Sequence, residues 1–156
     1  MQVRVPANLP LLQLDAVLME RLFANLLENA AKYTPPGTPI RIGAALERDG
    51  DARFVRVCID DEGPGVPSGM QSRLFDKFTR GEKESAQPGI GLGLAICRAI
   101  VEAHGRKIGV ENRMDASGRV LGARFWFSLP ADEAPPEDVP PDEEVESRAA
   151  LGAGEA

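Results

Sequence analysis

The chain has 156 residues, the size of one ordinary domain, and a formal net charge of -6 that is unevenly spread: residues 131–156 carry -8 and residues 1–130 carry +2. A nearly neutral body argues against a nucleic-acid binder, which usually shows a basic face, and no apolar run approaches the roughly 20 residues of a membrane span. The start "MQVRVPANLP" is too polar for a signal peptide, Cys58 and Cys97 are too few and too far apart for a disulfide scaffold or a zinc site, and the single His104 excludes a multi-histidine metal centre.

In chain order, Val3 to Val5 alternates as a strand, and Leu11 to Leu14 reads as a second short one. Asp15 is placed to cap a helix over Ala16 to Lys32. Leu18, Leu22, Leu26 and Ala30 recur every four residues there, and Met19, Phe23 and Leu27 widen the apolar stripe. "TPPGTP" stops this helix, because proline cannot continue it. Ile40 to Arg48 and Arg53 to Ile59 form two strands joined by the hairpin signal "RDGD", and "DDEGPGVP" follows as a loop. Met70 to Phe78 is expected as a short helix, "TRGEKESAQPG" as a polar lid-like loop, and Leu92 to His104 as a second long helix. Lys107 to Glu111 and Val120 to Leu129 are further strands. The pattern predicts an α+β two-layer domain over residues 1–130, not a doubly wound sheet. Residues 131–156, rich in Pro and carboxylates, are expected as a disordered tail that cannot bury enough surface to offset its ordering entropy.

Three constellations carry possible chemistry. Asn25, Asn29 and Lys32 share a face of the first helix beside Glu28, with the apolar stripe expected on the opposite face. They read either as a solvated polar face or as a metal–phosphate site, since amide oxygens are hard ligands for Mg²⁺. Asp61-Glu62-Gly63-Pro64-Gly65 directly follows a strand. It is either a simple turn or a carboxylate poised to accept from a ligand amine, with glycines that let backbone approach the ligand. Gly89, Gly91 and Gly93 open the second long helix, where free N–H groups and the helix dipole favour phosphate. The spacing is not that of a dinucleotide fingerprint or a P-loop.

Taken together, "NLLENAAKYTPPG", "DEGPGVP", "LFDKFTRG" and "GIGLGLAICRAIVEAHG" resemble, in order and spacing, the N, G1, F and G2 boxes of the catalytic ATP-binding domain of sensor histidine kinases. This is the superfamily shared with DNA gyrase, the Hsp90 chaperones and MutL. The run from Phe75 to Gly105 goes further and resembles the bacterial potassium- and turgor-sensing members. The resemblance covers about residues 10–130 and implies a mixed, mostly antiparallel sheet backed by three helices. It implies that Asn29 with Asn25 holds Mg²⁺ on ATP, that Lys32 contacts phosphate and that Tyr33 packs on the nucleotide. Asp61 would accept from the adenine N6 amine, with Gly63 and Gly65 lining the pocket. Phe75 and Phe78 would pack at the lid base, and Arg80 or Lys83 would reach the γ-phosphate. Gly89, Gly91 and Gly93, with Leu92 and Leu94 between and after them, would let the lid close over the phosphates.

The same resemblance implies partners: a helical phosphoacceptor domain of the same sensor and a response regulator. It implies a monomeric fragment here, from the cytoplasmic side of an inner-membrane homodimer. Relatives that hydrolyse ATP carry Glu where Asn25 stands, which argues for phosphoryl transfer to protein. Glu28 matches no ligand position, Arg106 replaces a usual Gly, and His104, near a helix end, is expected to be structural. A serine protein kinase of the anti-sigma-factor type and a non-catalytic ATP-dependent docking module stand as alternatives.

Overall fold

The computed structural model describes residues 1–76 and 92–131. Five strands form one sheet in the order β1-β2-β3-β5-β4, comprising β1 (Gln2–Arg4), β2 (Arg41–Asp49), β3 (Ala52–Asp60), β4 (Ile108–Met114) and β5 (Val120–Pro130). Only β1 pairs in parallel, with β2; every other pair is antiparallel. Two helices, α1 (Ala16–Tyr33) and α2 (Gly93–Ala103), back it among the described residues. No helix of the described residues is long and apolar enough to cross a membrane.

α1 begins where Asp15 accepts a hydrogen bond from the Leu18 N–H at 3.0 Å, satisfying one of the orphan donors of the first turn. It ends at Thr34, before two prolines. Met19, Leu22, Leu26 and Ala30 are buried. Leu18, Phe23 and Leu27 flank them. The β2–β3 hairpin turns at Gly50, whose φ of 60° a side chain would resist. Strand alternation then sends Val55, Val57, Ile59, Phe125, Phe127 and Leu129 toward the helices. Phe127 meets Phe23 edge to face at 5.5 Å between ring centroids, and Phe75 meets Phe125 in the same way at 6.3 Å. On the other face Trp126 lies against Gly109, where a Cβ would come within 2.5 Å of the indole, and the Arg56 guanidinium covers the ring at 4.6 Å.

Three expectations are corrected. Leu11 to Leu14 is not a strand; its leucines pack on the core as irregular chain, except the exposed Leu11. Met70 to Asp76 is a series of turns, with Arg73 N–H bonded to the Met70 carbonyl and Asp76 N–H to the Arg73 carbonyl, so it supplies no third helix. Those i→i+3 bonds tighten the chain without the i→i+4 ladder of an α-helix. Finally, Asn25 and Asn29 border the apolar stripe instead of opposing it. Asn29 is seven positions from Leu22, which in a helix returns to within about 20° of the same direction. Both asparagines are half-buried. Residues 77–91 and 132–156, which hold the expected lid and tail, lie outside the described residues.

Cys97 is fully buried where α2 meets α1, with its thiol 3.8 Å from the Leu22 carbonyl that it faces. Burial pushes the thiol up to about 12 from 9.0, more than the neighbouring Asn25 amide lowers it. The folded state therefore keeps a proton that the unfolded thiol releases near 9.0. Stability from this group is intact below pH 9.0 and declines above it, by about 1.4 kcal/mol per pH unit at most. Urea unfolding at pH 8 and pH 10 is expected to show a steeper alkaline loss in the parent than in Cys97→Ala, although the variant starts lower. Parallel pH slopes would remove the thiol from this account.

Candidate functional site

The end of β3 sets the geometry. Asp61 is 3% exposed, and a buried carboxylate must be hydrogen-bonded to be tolerated. Its Oδ1 accepts from the Gly63 N–H at 2.9 Å and the Ala123 N–H at 3.0 Å. Its own N–H donates to the Ala123 carbonyl at 3.0 Å, and its carbonyl accepts from Arg113 at 2.8 Å. Both side-chain bonds fall on Oδ1, which leaves Oδ2 as the oxygen a ligand can use.

Three glycines allow this. A Cβ on Gly63 would stand 2.6 Å from the Tyr33 carbonyl and 3.2 Å from Asp61 Oδ1, so the loop presses against the end of α1. Gly65 has a φ of 78°, and a Cβ there would meet Val120 at 2.6 Å and Asn112 at 2.8 Å. Gly122 lets β5 pass directly beneath the Asp61 carbonyl. Asn112 then clamps the loop from β4, accepting from the Val66 N–H at 2.7 Å and donating to its carbonyl at 2.9 Å.

The other end of the site lies between the helices. α2 starts at Gly93 with Leu92 as its cap residue, which makes no side-chain cap bond to the first-turn N–H groups. A Cβ on Gly93 would lie 3.8 Å from Asn25 Oδ1, which puts this amide beside the helix start. Asn25 Nδ2 is buried without a hydrogen-bond partner. An orphaned amide beside the positive end of a helix fits a site for a phosphate with its Mg²⁺. At the last turn of α1, the Lys32 ammonium lies 5.8 Å from the Tyr33 ring centroid.

A family model described as histidine kinase-, DNA gyrase B- and HSP90-like ATPase matches residues 14–133. The chain belongs to this family. It is 46% identical over 131 residues to the sensor protein KdpD of Escherichia coli, a match covering 84% of this chain and 14% of that protein. Among solved structures it is similar to the mycobacterial sensor histidine kinase MprB, with 32% identity, a TM-score of 0.63, and coverage of 83% of this chain and 79% of that one. It is also similar to full-length ShkA in complex with AMPPNP, at 30% identity and a TM-score of 0.69, covering 86% of this chain and 26% of that one. The chain thus spans about one seventh of the KdpD relative's length.

In this histidine kinase-like fold the structure brings Tyr33, Asp61 and Gly63 together at one end, and Asn25 and Gly93 at the other. Phe75 is buried on Phe125, in the core. Phe78, Arg80, Lys83, Gly89 and Gly91 lie outside the described residues. His104 bonds the Ile100 carbonyl through Nδ1 at 2.8 Å and lies 3.5 Å from the Asp15 N–H through Nε2, so it ties the end of α2 to the start of α1. Sequence reading missed Asn112, Arg113 and Gly122. The one signal for Asn112 and Arg113 is a polar "ENR" within a strand, and what it and Gly122 contact is set by sheet register.

The crowding at Gly63 makes a test. Gly63→Ala is expected to destabilise the fold by about 1–3 kcal/mol, because Tyr33 backbone must give way. Gly43→Ala, whose added carbon meets nothing nearer than 4.0 Å, serves as the near-neutral control. Chemical denaturation of both variants reads the difference.

Proposed function

We propose that this chain is the ATP-binding catalytic domain of a KdpD-like sensor histidine kinase, which passes the γ-phosphoryl group of ATP to a histidine on a separate helical domain. The observation that carries the proposal is Asp61: a buried carboxylate with one oxygen fixed by two backbone N–H groups and the other open. Such an acceptor suits the adenine N6 amine and disfavours guanine, which has a carbonyl at that place. The family match and the AMPPNP complex of a structural relative support ATP as the nucleotide.

In this reading Tyr33 and the Gly63–Gly65 loop enclose the base. Asn25 and Asn29 hold the metal, and the start of α2, with Leu92, Gly93 and Leu94, receives phosphate. Mg²⁺, when bound, would neutralise charge on the phosphates. Lys32 adds positive charge, and Arg80 and Lys83, outside the described residues, are assigned the same part. Transfer then rests on positioning and charge, with little covalent work for the protein. The acceptor histidine lies on another domain of a membrane-anchored, dimeric sensor, and a response regulator takes the phosphoryl group onward. The likeness to KdpD supports a potassium or turgor response.

His104 is excluded as the acceptor by its position. It follows the last residue of α2, whose eleven residues at about 1.5 Å rise each put roughly 16 Å between it and the helix start. Both its ring nitrogens are also engaged. With radiolabelled ATP and Mg²⁺, label is expected on an added acceptor-hairpin domain and not on this chain. Acid-labile label on this chain alone, lost in His104→Gln, would overturn the assignment.

The base contact is tested separately. Asp61→Asn is expected to weaken ATP binding by about 1–3 kcal/mol, the cost of a hydrogen bond to a charged group lost from a buried site. Unchanged affinity in calorimetry would take Asp61 out of the adenine pocket.

A further inference from the structure

β3 ends at Asp60 and Asp61 follows it directly, and continued strand alternation sends the two carboxylates to opposite faces of the sheet. Asp61 turns toward the candidate site. Asp60 turns away from the helices, where its side chain is 14% exposed. Arg124, directly opposite Asp60 on β5, grips it with a fork: Nε to Oδ1 at 2.7 Å and Nη2 to Oδ2 at 2.8 Å. Asp60 in turn holds the Arg124 guanidinium firmly in its charged form.

Arg113 joins this pair from β4. Its Nε lies 3.5 Å from Asp60 Oδ2, and its Nη1 donates to the main-chain carbonyl of Asp61 at 2.8 Å. Pairing of β4 with β5 slips between Arg113 and Met114, an irregularity of the kind that re-aims a side chain. Across the sheet from Arg113 stands Gly122, the residue whose missing Cβ makes room for the Asp61 carbonyl. The peptide plane between Asp61 and Glu62 therefore sits between a glycine and a guanidinium. Rotation of that plane would move the Gly63 N–H two residues on, and with it one of the two donors that orient the Asp61 carboxylate.

We infer that Arg113 is a positioning residue for base recognition: it fixes the Asp61–Glu62 peptide, and so aims the open Asp61 oxygen, while Asp60 and Arg124 hold Arg113 in place. The inference rests on the adenine-binding reading of Asp61. Arg113 meets the proposed site only at the main-chain carbonyl of Asp61 and acts only through that residue.

The test compares ATP with ITP, whose base has a carbonyl where adenine has the N6 amine, by calorimetry on the full chain. The parent is expected to prefer ATP. Arg113→Leu is expected to lose about fivefold in ATP affinity with little change for ITP, the scale of one weakened hydrogen bond, so the preference shrinks. Arg113→Lys retains charge beside Asp60 but cannot serve both acceptors, and should show a smaller fall in the same direction. In an Asp61→Asn background, Arg113→Leu should change ATP affinity no further. Equal losses for ATP and ITP, or an unchanged ratio, would make Arg113 structural only and overturn the inference while leaving Asp61 in the pocket. Should Arg113→Leu not fold by circular dichroism, the ratio in Arg113→Lys decides. A parent without ATP preference, by contrast, would overturn the base-recognition reading and the inference with it.

Discussion

A single buried carboxylate organises one whole end of this domain. Burying Asp61 would be costly unless its hydrogen bonds were made, and the fold makes them with backbone: the Gly63 and Ala123 N–H groups both reach Oδ1. That demand fixes much else. β5 must lie close enough for Ala123 to donate, so position 122 has no room for a side chain. The loop must double back within two residues, so Gly63 meets the Tyr33 carbonyl and α1 must end where it does. Asn112 must hold the loop from β4, so the site depends on pairing at the far edge of the sheet. A backbone-held acceptor is also a directional one, because main-chain donors cannot change rotamer as side chains do.

The two carboxylates at the end of β3 show how alternation divides labour. Asp60 and Asp61 are chemically alike and adjacent, yet one is neutralised by arginines on the open face and the other is held by backbone N–H groups beneath the helices. The arginine fork removes a charge that would otherwise sit unpaired beside Asp61.

Much of this was legible in the sequence, and the failures have physical causes. The 3.6-residue period of α1, the Asp15 cap and the "RDGD" hairpin are local signals, set by neighbours in the chain, and each appears as read. Asp61 and Gly63 stood out through the family resemblance, since alone the run reads equally as a turn, and the structure does join them, Gly63 N–H to Asp61 Oδ1. Arg113 and Gly122 did not stand out, because their partners lie 52 and 61 positions away and are chosen by sheet register. Leu11 to Leu14 misled because a short apolar run states burial without stating conformation. Met70 to Phe78 misled because helical spacing over two turns also fits consecutive i→i+3 turns. The asparagines lie at the rim of the apolar stripe and not opposite it, because at 3.6 residues per turn seven positions bring Asn29 back almost over Leu22.

The two ends of the candidate site are consequently held by different parts of the molecule. The proposed base end belongs to the sheet: Asp61, Ala123, Asn112 and Arg113 all sit on or beside paired strands. The proposed phosphate end belongs to the helix pair, where Asn25 on α1 faces Gly93 at the start of α2. That pair is fastened in the middle by Cys97 against the Leu22 carbonyl and at its far end by His104 against Asp15. At the near end, among the described residues, Asn25 Nδ2 has no hydrogen-bond partner and Leu92 gives α2 no side-chain cap. On the proposed reading a phosphate would satisfy those groups, and its binding would complete the contact between the helices. Disturbing the α1–α2 packing should therefore be felt first by the phosphates, and disturbing the β4–β5 edge first by the base.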